Sequence, residues 1–181
     1  MKIAPFSALV EEAAEPHMNR GKDVLITDHS EPSLMVNRQP EILHGIRNLI
    51  QNGVDFADTT VWVDLQANPQ VLKITICDDG PGYPAHVFAR LGEPFVSQRT
   101  RSEKNRVEYE GMGLGLFIAK TLLERSGAEL TFANGTDPFL TASENAGRKG
   151  AFVEVSWQTQ SLQASEAEYS AGLGENQINA I

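Results

Sequence analysis

The sequence predicts an α+β fold in which helices lie on one face of a mixed β-sheet. The first observation is the order of its elements: helix, two strands, helix, hairpin, long loop, helix and two strands. The second is that the strand-like runs occur in adjacent pairs, as antiparallel strands do, and do not alternate singly with helices as in a parallel sheet. The 181 residues suffice for one such domain and a tail.

The composition argues against several classes of protein. A formal net charge of -9 disfavours a general affinity for nucleic acid or for anionic membranes. The single cysteine, Cys77, cannot form an intrachain disulfide. The first residues carry acids and lack the apolar core of a signal peptide, and no apolar run is long enough to span a bilayer. We therefore expect a cytoplasmic domain without direct membrane contact.

The N-terminal half contains two predicted helices with two strands between them. Residues 6–21 place apolar residues on one helical face, and residues 23–28 and 33–37 are typical of short strands. Pro40 is a residue type favoured in the first turn of a helix, and apolar residues recur after it at spacings of three and four. The predicted apolar face of this helix consists of Ile42, Ile46, Leu49, Ile50 and Val54.

The C-terminal half begins with a predicted hairpin. Residues 59–66 and 72–78 are β-rich and are separated by the turn sequence Ala-Asn-Pro-Gln. The remaining predicted elements are a short helix at 84–92, a long loop at 92–114, a helix from about Leu114 to Arg125, and strands at 128–135 and 151–157. Later residues are mostly polar or small, so we predict a domain at 1–157 and a flexible tail at 158–181.

Two asparagines lie one above the other on the predicted helix that starts at Pro40. Asn48 and Asn52 are four residues apart, so they occupy one ridge of that helix. Asparagine is a poor choice in a helix interior, and a side-chain amide oxygen is a suitable ligand for a hard cation such as Mg²⁺. Taken alone, the pair also fits polar surface or capping residues.

A carboxylate and two glycines stand at the end of the predicted hairpin. Asp78 ends an apolar run, and Gly80 and Gly82 follow it. A carboxylate at a strand end can accept a hydrogen bond from an exocyclic amine, and glycines let a flat ring approach the backbone. Asp-Gly and Pro-Gly are also common turn pairs, so a plain turn is the alternative.

Three glycines precede the predicted helix at 114–125. Gly111, Gly113 and Gly115 would expose the first N–H groups of this helix, whose positive dipole end attracts anions such as phosphate. The segment lacks the Lys-Ser/Thr ending of a Walker A loop. It also follows a long loop and not a strand, which argues against a dinucleotide-binding motif.

Together and in this order, the three motifs resemble the GHKL ATPase superfamily, which includes DNA gyrase B, Hsp90, MutL and the sensor histidine kinases. The stretch LGEPFVSQRT resembles the F box of the kinases, and GMGLGLFIAKTLLERSGAELTFAN resembles their second glycine box. PEILHGIRNLIQNGVDFA and EGMGLGLFIAKTLLERSGA are closely similar to the RegB/PrrB redox-sensing kinases. The resemblance implies a two-layer α/β sandwich of the Bergerat type with a long ATP lid.

The resemblance also implies a role for each motif residue. Asn52 would hold the Mg²⁺ that bridges the triphosphate, with Asn48 beside it. Asp78 would accept a hydrogen bond from the adenine amine and repel the guanine oxygen, so ATP should be preferred to GTP. Gly80 and Gly82 would shape the base pocket.

The lid residues receive their roles from the same resemblance. The glycines at 111, 113 and 115 would let the lid close, and the backbone amides around Leu114 to Leu116 would face the phosphates. The lid carries several basic residues that either touch the triphosphate or remain solvated: Arg99, Arg101, Lys104 and Arg106. Of these, Arg99 is the predicted ATP contact.

Departures from the family pattern bear on the reaction. Asp55 stands where many of these kinases carry a Lys or Arg, and "GA" at 150–151 replaces Gly-Thr, which leaves a hydroxyl contact to adenine in doubt. Hydrolytic members place a Glu four residues before the metal-binding Asn, whereas this chain has Asn48, an amide that cannot accept a proton from water at neutral pH. This favours phosphoryl transfer over ATP hydrolysis.

The phosphoryl acceptor is expected on another module. In the kinases it is a His followed by an acid, on a dimeric helical hairpin, and none of the four His here has an acidic residue next. The implied partners are a His-containing dimerisation domain and a response regulator, in a protein anchored in the bacterial inner membrane. The alternatives are an anti-sigma-like Ser kinase or a nucleotide-binding regulatory module, and Asn48 disfavours a hydrolytic clamp.

Overall fold

The structure is a computed structural model that describes residues 2–91, 106–135 and 140–165, with the backbone alone described at 106–112. The helices are α1 (Phe6–Ala14, continued by a 3₁₀ turn at Glu15–His17), α2 (Pro40–Phe56), α3 (Ala85–Leu91), α4 (Arg106–Arg125) and α5 (Thr159–Leu162). The strands are β1 (Ile3–Pro5), β2 (Asp23–Asp28), β3 (Met35–Asn37), β4 (Thr60–Ala67), β5 (Val71–Asp78), β6 (Glu129–Asn134) and β7 (Ala151–Gln158).

The main sheet is mixed, as predicted. Its strand order is β2-β4-β5-β7-β6, in which β2 and β4 are parallel and every other neighbouring pair is antiparallel. β1 and β3 form a separate antiparallel pair. The predicted hairpin is β4–β5, and the side chain of Asn68 closes its turn by accepting hydrogen bonds from the N–H groups of Gln70 and Val71, each at 2.8 Å.

The core lies between one face of the sheet and the helical layer. Side chains alternate along a strand, so Val61, Val63 and Leu65 of β4 share a face, and each is fully buried. α2 and α4 cross above this face at very short range. A Cβ atom at Gly45 would lie 2.5 Å from Leu123 Cγ, so the glycine is what allows the two helices to approach.

The helix after the long loop begins earlier than predicted. α4 starts at Arg106 and not near Leu114, so Gly111, Gly113 and Gly115 lie inside it. An interior glycine costs about 1 kcal/mol relative to alanine, which the hydrogen bonds and packing of a 20-residue helix offset. Residues 92–105 of the predicted loop are outside the described part of the chain.

The packed domain also extends beyond the predicted boundary at residue 157. Thr159 and Leu162 are buried at 1% and 0% exposure. The N–H of Thr159 donates to the Gln70 carbonyl at 2.9 Å, and the N–H of Ala164 donates to the Met35 carbonyl at 3.0 Å. These contacts tie the start of the expected tail to the β4–β5 turn and to β3, which sequence composition alone does not reveal. Residues 166–181 are outside the described range.

Candidate functional site

Asp78 lies at the end of β5 and points toward the helical layer. It shares a face of the strand with Ile74 and Ile76, which belong to the core, and it is only 2% exposed. Its Oδ1 atom accepts hydrogen bonds from the backbone N–H groups of Gly80 at 2.9 Å and Ala151 at 3.1 Å. The structure therefore holds this carboxylate in one position from two separate segments of the chain.

The environment of Asp78 disfavours its ionised form. Burial raises the pKa of this carboxyl from 3.8 to about 6, although the N–H groups of Gly80 and Ala151 oppose the shift. The negative charges of Asp79 and Asp58 add a smaller increase in the same direction. A buried carboxylate with a strongly shifted pKa is typical of functional sites.

Two glycines leave no room for a side chain beside Asp78. A Cβ atom at Gly80 would overlap the backbone carbonyl of Phe56, and a Cβ atom at Gly150 would overlap Asp78 Oδ1. The sequence motif indicated Gly80 as a glycine of the predicted base pocket. The equally tight packing of Gly150 follows from the antiparallel pairing of β5 with β7, which brings the start of β7 to the end of β5.

Asn134 holds the loop that follows Asp78. Its side-chain oxygen accepts a hydrogen bond from the Tyr83 N–H at 2.6 Å, and its Nδ2 donates to the Tyr83 carbonyl at 2.9 Å. Gly82 has a positive φ of 83°, and a Cβ atom there would lie 2.6 Å from Asn134 Oδ1. Both the positive φ and the close approach of Asn134 therefore require a glycine at position 82. The sequence motifs did not indicate the role of Asn134.

The predicted asparagine ridge lies on α2, which ends at the same side of the domain. Asn52 is 7% exposed and Asn48 is half-buried. Phe56, one turn after Asn52, is the residue whose carbonyl contacts Gly80. The fold therefore brings the C-terminal end of α2 and the loop after Asp78 together.

The comparison with known proteins decides the family. Residues 37–161 match the model of the family described as histidine kinase-, DNA gyrase B-, and HSP90-like ATPase. The chain belongs to this family. The match includes α2, the β4–β5 hairpin and β7, which carry Asn48, Asn52, Asp78 and Ala151.

Relatives place the chain among the sensor kinases. It is 51% identical over 185 residues to the sensor histidine kinase RegB of Cereibacter sphaeroides, an alignment that covers 97% of this chain and 39% of the relative. The chain is therefore a histidine kinase catalytic domain homologous to RegB, and it spans about two fifths of that protein's length.

Solved structures agree on the fold. The mycobacterial sensor histidine kinase MprB aligns with a TM-score of 0.58 at 20% identity, over 90% of this chain and 98% of that one. The ATP-binding domain of PrrB from Mycobacterium tuberculosis aligns with a TM-score of 0.53 at 20% identity, over 84% and 92% of the two chains. Both likenesses support the predicted α+β architecture.

In this histidine kinase domain, Asp55 lies three residues after Asn52 and forms an ion pair with Arg20. Asp55 accepts a hydrogen bond from Arg20 Nη2 at 2.7 Å. Lys22 Nζ donates to the Val54 carbonyl at 2.6 Å, a favourable place for a cation near the C-terminal end of a helix. The segment before β2 thus brings two cations to the end of α2, which spacing within the α2 motif could not predict.

Asp79 has a structural role that its neighbour lacks. Its carboxylate accepts hydrogen bonds from the N–H groups of Asp58 and Thr59, both at 2.9 Å, from that of Thr60 at 3.1 Å, and from the Thr59 hydroxyl. Burial opposes the shift, but the Thr59 hydroxyl and the three N–H groups together lower the pKa of Asp79. Of the two consecutive aspartates, Asp79 therefore secures the start of β4, and Asp78 faces the candidate site.

The glycine-rich segment lies within α4 in this structure. Leu114 is 62% exposed and Leu116 is fully buried. Their N–H groups lie beyond the first turn of α4, where helical N–H groups bond to carbonyls four residues earlier. The predicted contacts of residues 111–116 with phosphate thus require a later helix start than the one seen here. They stay predictions, and Arg99 is outside the described residues.

A cavity of about 680 Å³ lies at the opposite end of β5, beside the β4–β5 turn and α5. Its lining includes Glu31, Leu34, Asn68 and Thr159, and it contains none of the motif residues. The buried Asp78 carboxylate and its close-packed glycines lie at the other end of β5. The described residues contain no cluster of three or more His, Cys, Asp or Glu suited to a metal ion, and no helix among them is long and apolar enough to cross a membrane.

Proposed function

We propose that this domain binds Mg-ATP and transfers the γ-phosphoryl group to a histidine on a separate dimerisation domain. It would act as the kinase module of a redox-responsive two-component system. The observation that carries the proposal is the buried carboxylate of Asp78, held by Gly80 and Ala151. The family membership and the 51% identity to RegB support the same activity.

Asp78 is suited to recognise adenine. Both backbone hydrogen bonds end on Oδ1, so Oδ2 is the oxygen available to accept from an exocyclic amine. A guanine ring presents a carbonyl oxygen at the equivalent position, and two acceptors facing each other in a buried site are strongly unfavourable. The carboxylate therefore selects ATP over GTP.

Asn52 fits the role of a magnesium ligand. It is buried, with 7% of its surface exposed, and it lies on the ridge of α2 that ends beside the Asp78 loop. Mg²⁺ commonly takes one or two protein oxygens and completes its shell with phosphates and water, so a site without a carboxylate cluster is compatible with it. The bound ion would neutralise charge on the triphosphate. Asn48, on the same ridge, would assist in binding.

The reaction is transfer to a side chain and not rapid hydrolysis. A hydrolytic site needs a general base within reach of the attacking water. Asn48 occupies the position at which hydrolytic members of the superfamily carry a glutamate. Without a base, the rate depends on an acceptor held in line with the γ-phosphoryl group. That acceptor would be the histidine of the dimerisation domain, and a response regulator would receive the phosphoryl group next.

The test uses γ-labelled ATP with this domain alone and then with the dimerisation domain of its own kinase added in trans. We expect slow turnover by the domain alone, and labelling of the added domain with the acid-labile phosphate typical of phosphohistidine. Asn52→Ala should abolish the labelling, whereas Gln51→Ala, a neighbouring exposed position on α2, should not.

Two results would contradict the proposal. Rapid ATP hydrolysis by the domain alone, insensitive to Asn52→Ala, would indicate a hydrolytic ATPase. Acid-stable phosphate on the partner would indicate a Ser kinase of the anti-sigma type. Labelling in trans is expected to be weaker than in an intact kinase, because a covalent tether raises the effective concentration of the acceptor.

A further inference from the structure

A buried ion pair lies on the sheet face that the helices do not cover. Trp62 and Asp64 are two residues apart on β4, so both point away from the core face that carries Val63. Arg148, from the connection between β6 and β7, donates from Nη1 to Asp64 Oδ2, and its Cζ lies 5.2 Å from the centroid of the Trp62 ring. Asp64 is 7% exposed and Arg148 is 9% exposed.

Stability alone does not account for this arrangement. The desolvation of two buried charges commonly cancels their attraction, and apolar residues of similar volume often stabilise a protein at least as well. Arg148 Nε is also buried and makes no hydrogen bond. The pair does fix the position of the Arg148 side chain, because a guanidinium held between a carboxylate and an aromatic face has few alternative conformations.

Arg148 is only two and three residues before Gly150 and Ala151, whose backbone N–H groups bond to Asp78. The N–H of Gly150 donates to the Asp78 carbonyl at 2.9 Å, and the N–H of Ala151 donates to Asp78 Oδ1 at 3.1 Å. A tight turn at Gly147, whose φ is 84°, lies against the Trp62 ring on the other side of Arg148. Any shift of Arg148 would therefore move the backbone that holds the Asp78 carboxylate.

We propose that Trp62, Asp64 and Arg148 form a latch that fixes the backbone of Gly150 and Ala151 against Asp78, and thereby sets nucleotide affinity and the preference for adenine. Arg148 and Asp64 are positioning residues in this proposal, since they act through Ala151 and touch no nucleotide. The proposal rests on the assignment of Asp78 as the adenine-recognising group, and it adds a determinant on the opposite face of the sheet.

The experiment compares wild type with Arg148→Met, Asp64→Asn and the control Lys149→Met. Lys149 is exposed and adjacent, so its substitution removes the same charge without touching the latch. Two quantities are measured for each protein: the titration of the Asp78 carboxyl by ¹³C NMR, and the affinities for ATP and GTP by calorimetry. Asp64→Asn keeps the shape of the side chain and one acceptor oxygen while it removes the charge. It is therefore the latch variant to measure if Arg148→Met fails to fold.

With a functional latch, both latch variants raise the pKa of Asp78 above its wild-type value, because the Ala151 N–H no longer stabilises the ionised form. ATP affinity falls about tenfold, the loss expected for one displaced hydrogen bond, and the ratio of ATP to GTP affinity narrows. Lys149→Met changes neither quantity. The latch is refuted if folded Asp64→Asn or Arg148→Met protein keeps the wild-type titration and affinities.

Failure of the underlying ATP assignment would look different. In that case wild-type protein would bind neither nucleotide, while the Asp78 titration would still report whether the latch variants release the Ala151 hydrogen bond. An unchanged titration would then overturn the latch by itself, and a raised pKa would support it as a positioning device for another ligand of Asp78.

Discussion

Asp78→Asn should stabilise the nucleotide-free domain at pH 7.5 while weakening ATP binding. The folded-state pKa of Asp78 is about 6, and the ordinary value is 3.8. Two pH units correspond to about 3 kcal/mol of unfavourable free energy for the ionised folded state above pH 6. Asparagine avoids that cost and can still accept from Gly80 and Ala151, so we expect a gain of about 1–3 kcal/mol in unfolding free energy.

The sign of the pH dependence makes this prediction specific. Between pH 3.8 and 6 the folded wild type binds more protons at Asp78 than the unfolded chain does, so its stability falls as the pH rises through this range. The gain in unfolding free energy that Asp78→Asn gives over wild type should therefore be complete above pH 7, decrease through pH 5 and vanish near pH 3.5. Urea denaturation at a series of pH values measures it directly.

Asp79→Asn is the matched control, because it removes the neighbouring carboxylate. The pKa of Asp79 is lowered by its hydrogen bonds with the Thr59 hydroxyl and the N–H groups at the start of β4. A lowered folded-state pKa stabilises the protein above the unfolded pKa, and that stability is lost as the pH falls. Asp79→Asn should thus be destabilising at pH 7.5. Equal or lower stability of Asp78→Asn at pH 7.5, or a gain independent of pH, would refute the reasoning.

Three further predictions follow from single contacts. Gly45→Ala should cost about 1–3 kcal/mol in denaturation experiments, because its Cβ would lie 2.5 Å from Leu123, whereas Gly115→Ala, with no atom within 4 Å of its Cβ, should gain about 0.5–1 kcal/mol. ATP affinity measured by calorimetry should be constant above pH 7 and fall toward pH 5 as Asp78 is protonated; a flat profile would contradict its role. Asn134→Ala removes both hydrogen bonds to the loop after Asp78 and should weaken ATP binding, and unaltered affinity would show that the loop holds without them.

Much of the fold could be predicted because its signals are local. The apolar spacing along α2 and the Asn68 turn between β4 and β5 depend on residues close in sequence, and β6 pairs with the next strand along the chain. The same holds for the asparagine ridge and for Asp78 with its glycines. The start of α4 was predicted wrongly, because packing along the whole helix outweighs a glycine cost of a few kcal/mol and the local sequence does not show that packing.

The sequence by itself determined the family and the α+β class, since these follow from short motifs and their order. The same motifs predict which residues would contact ATP. Only the tertiary structure decided what supports those residues. Ala151 reaches Asp78 across 73 residues, Asn134 reaches Tyr83 across 51, and Arg148 reaches Asp64 across 84. Such contacts depend on strand order and register, so the chemical type of a residue cannot reveal its partner until the sheet has brought the two together.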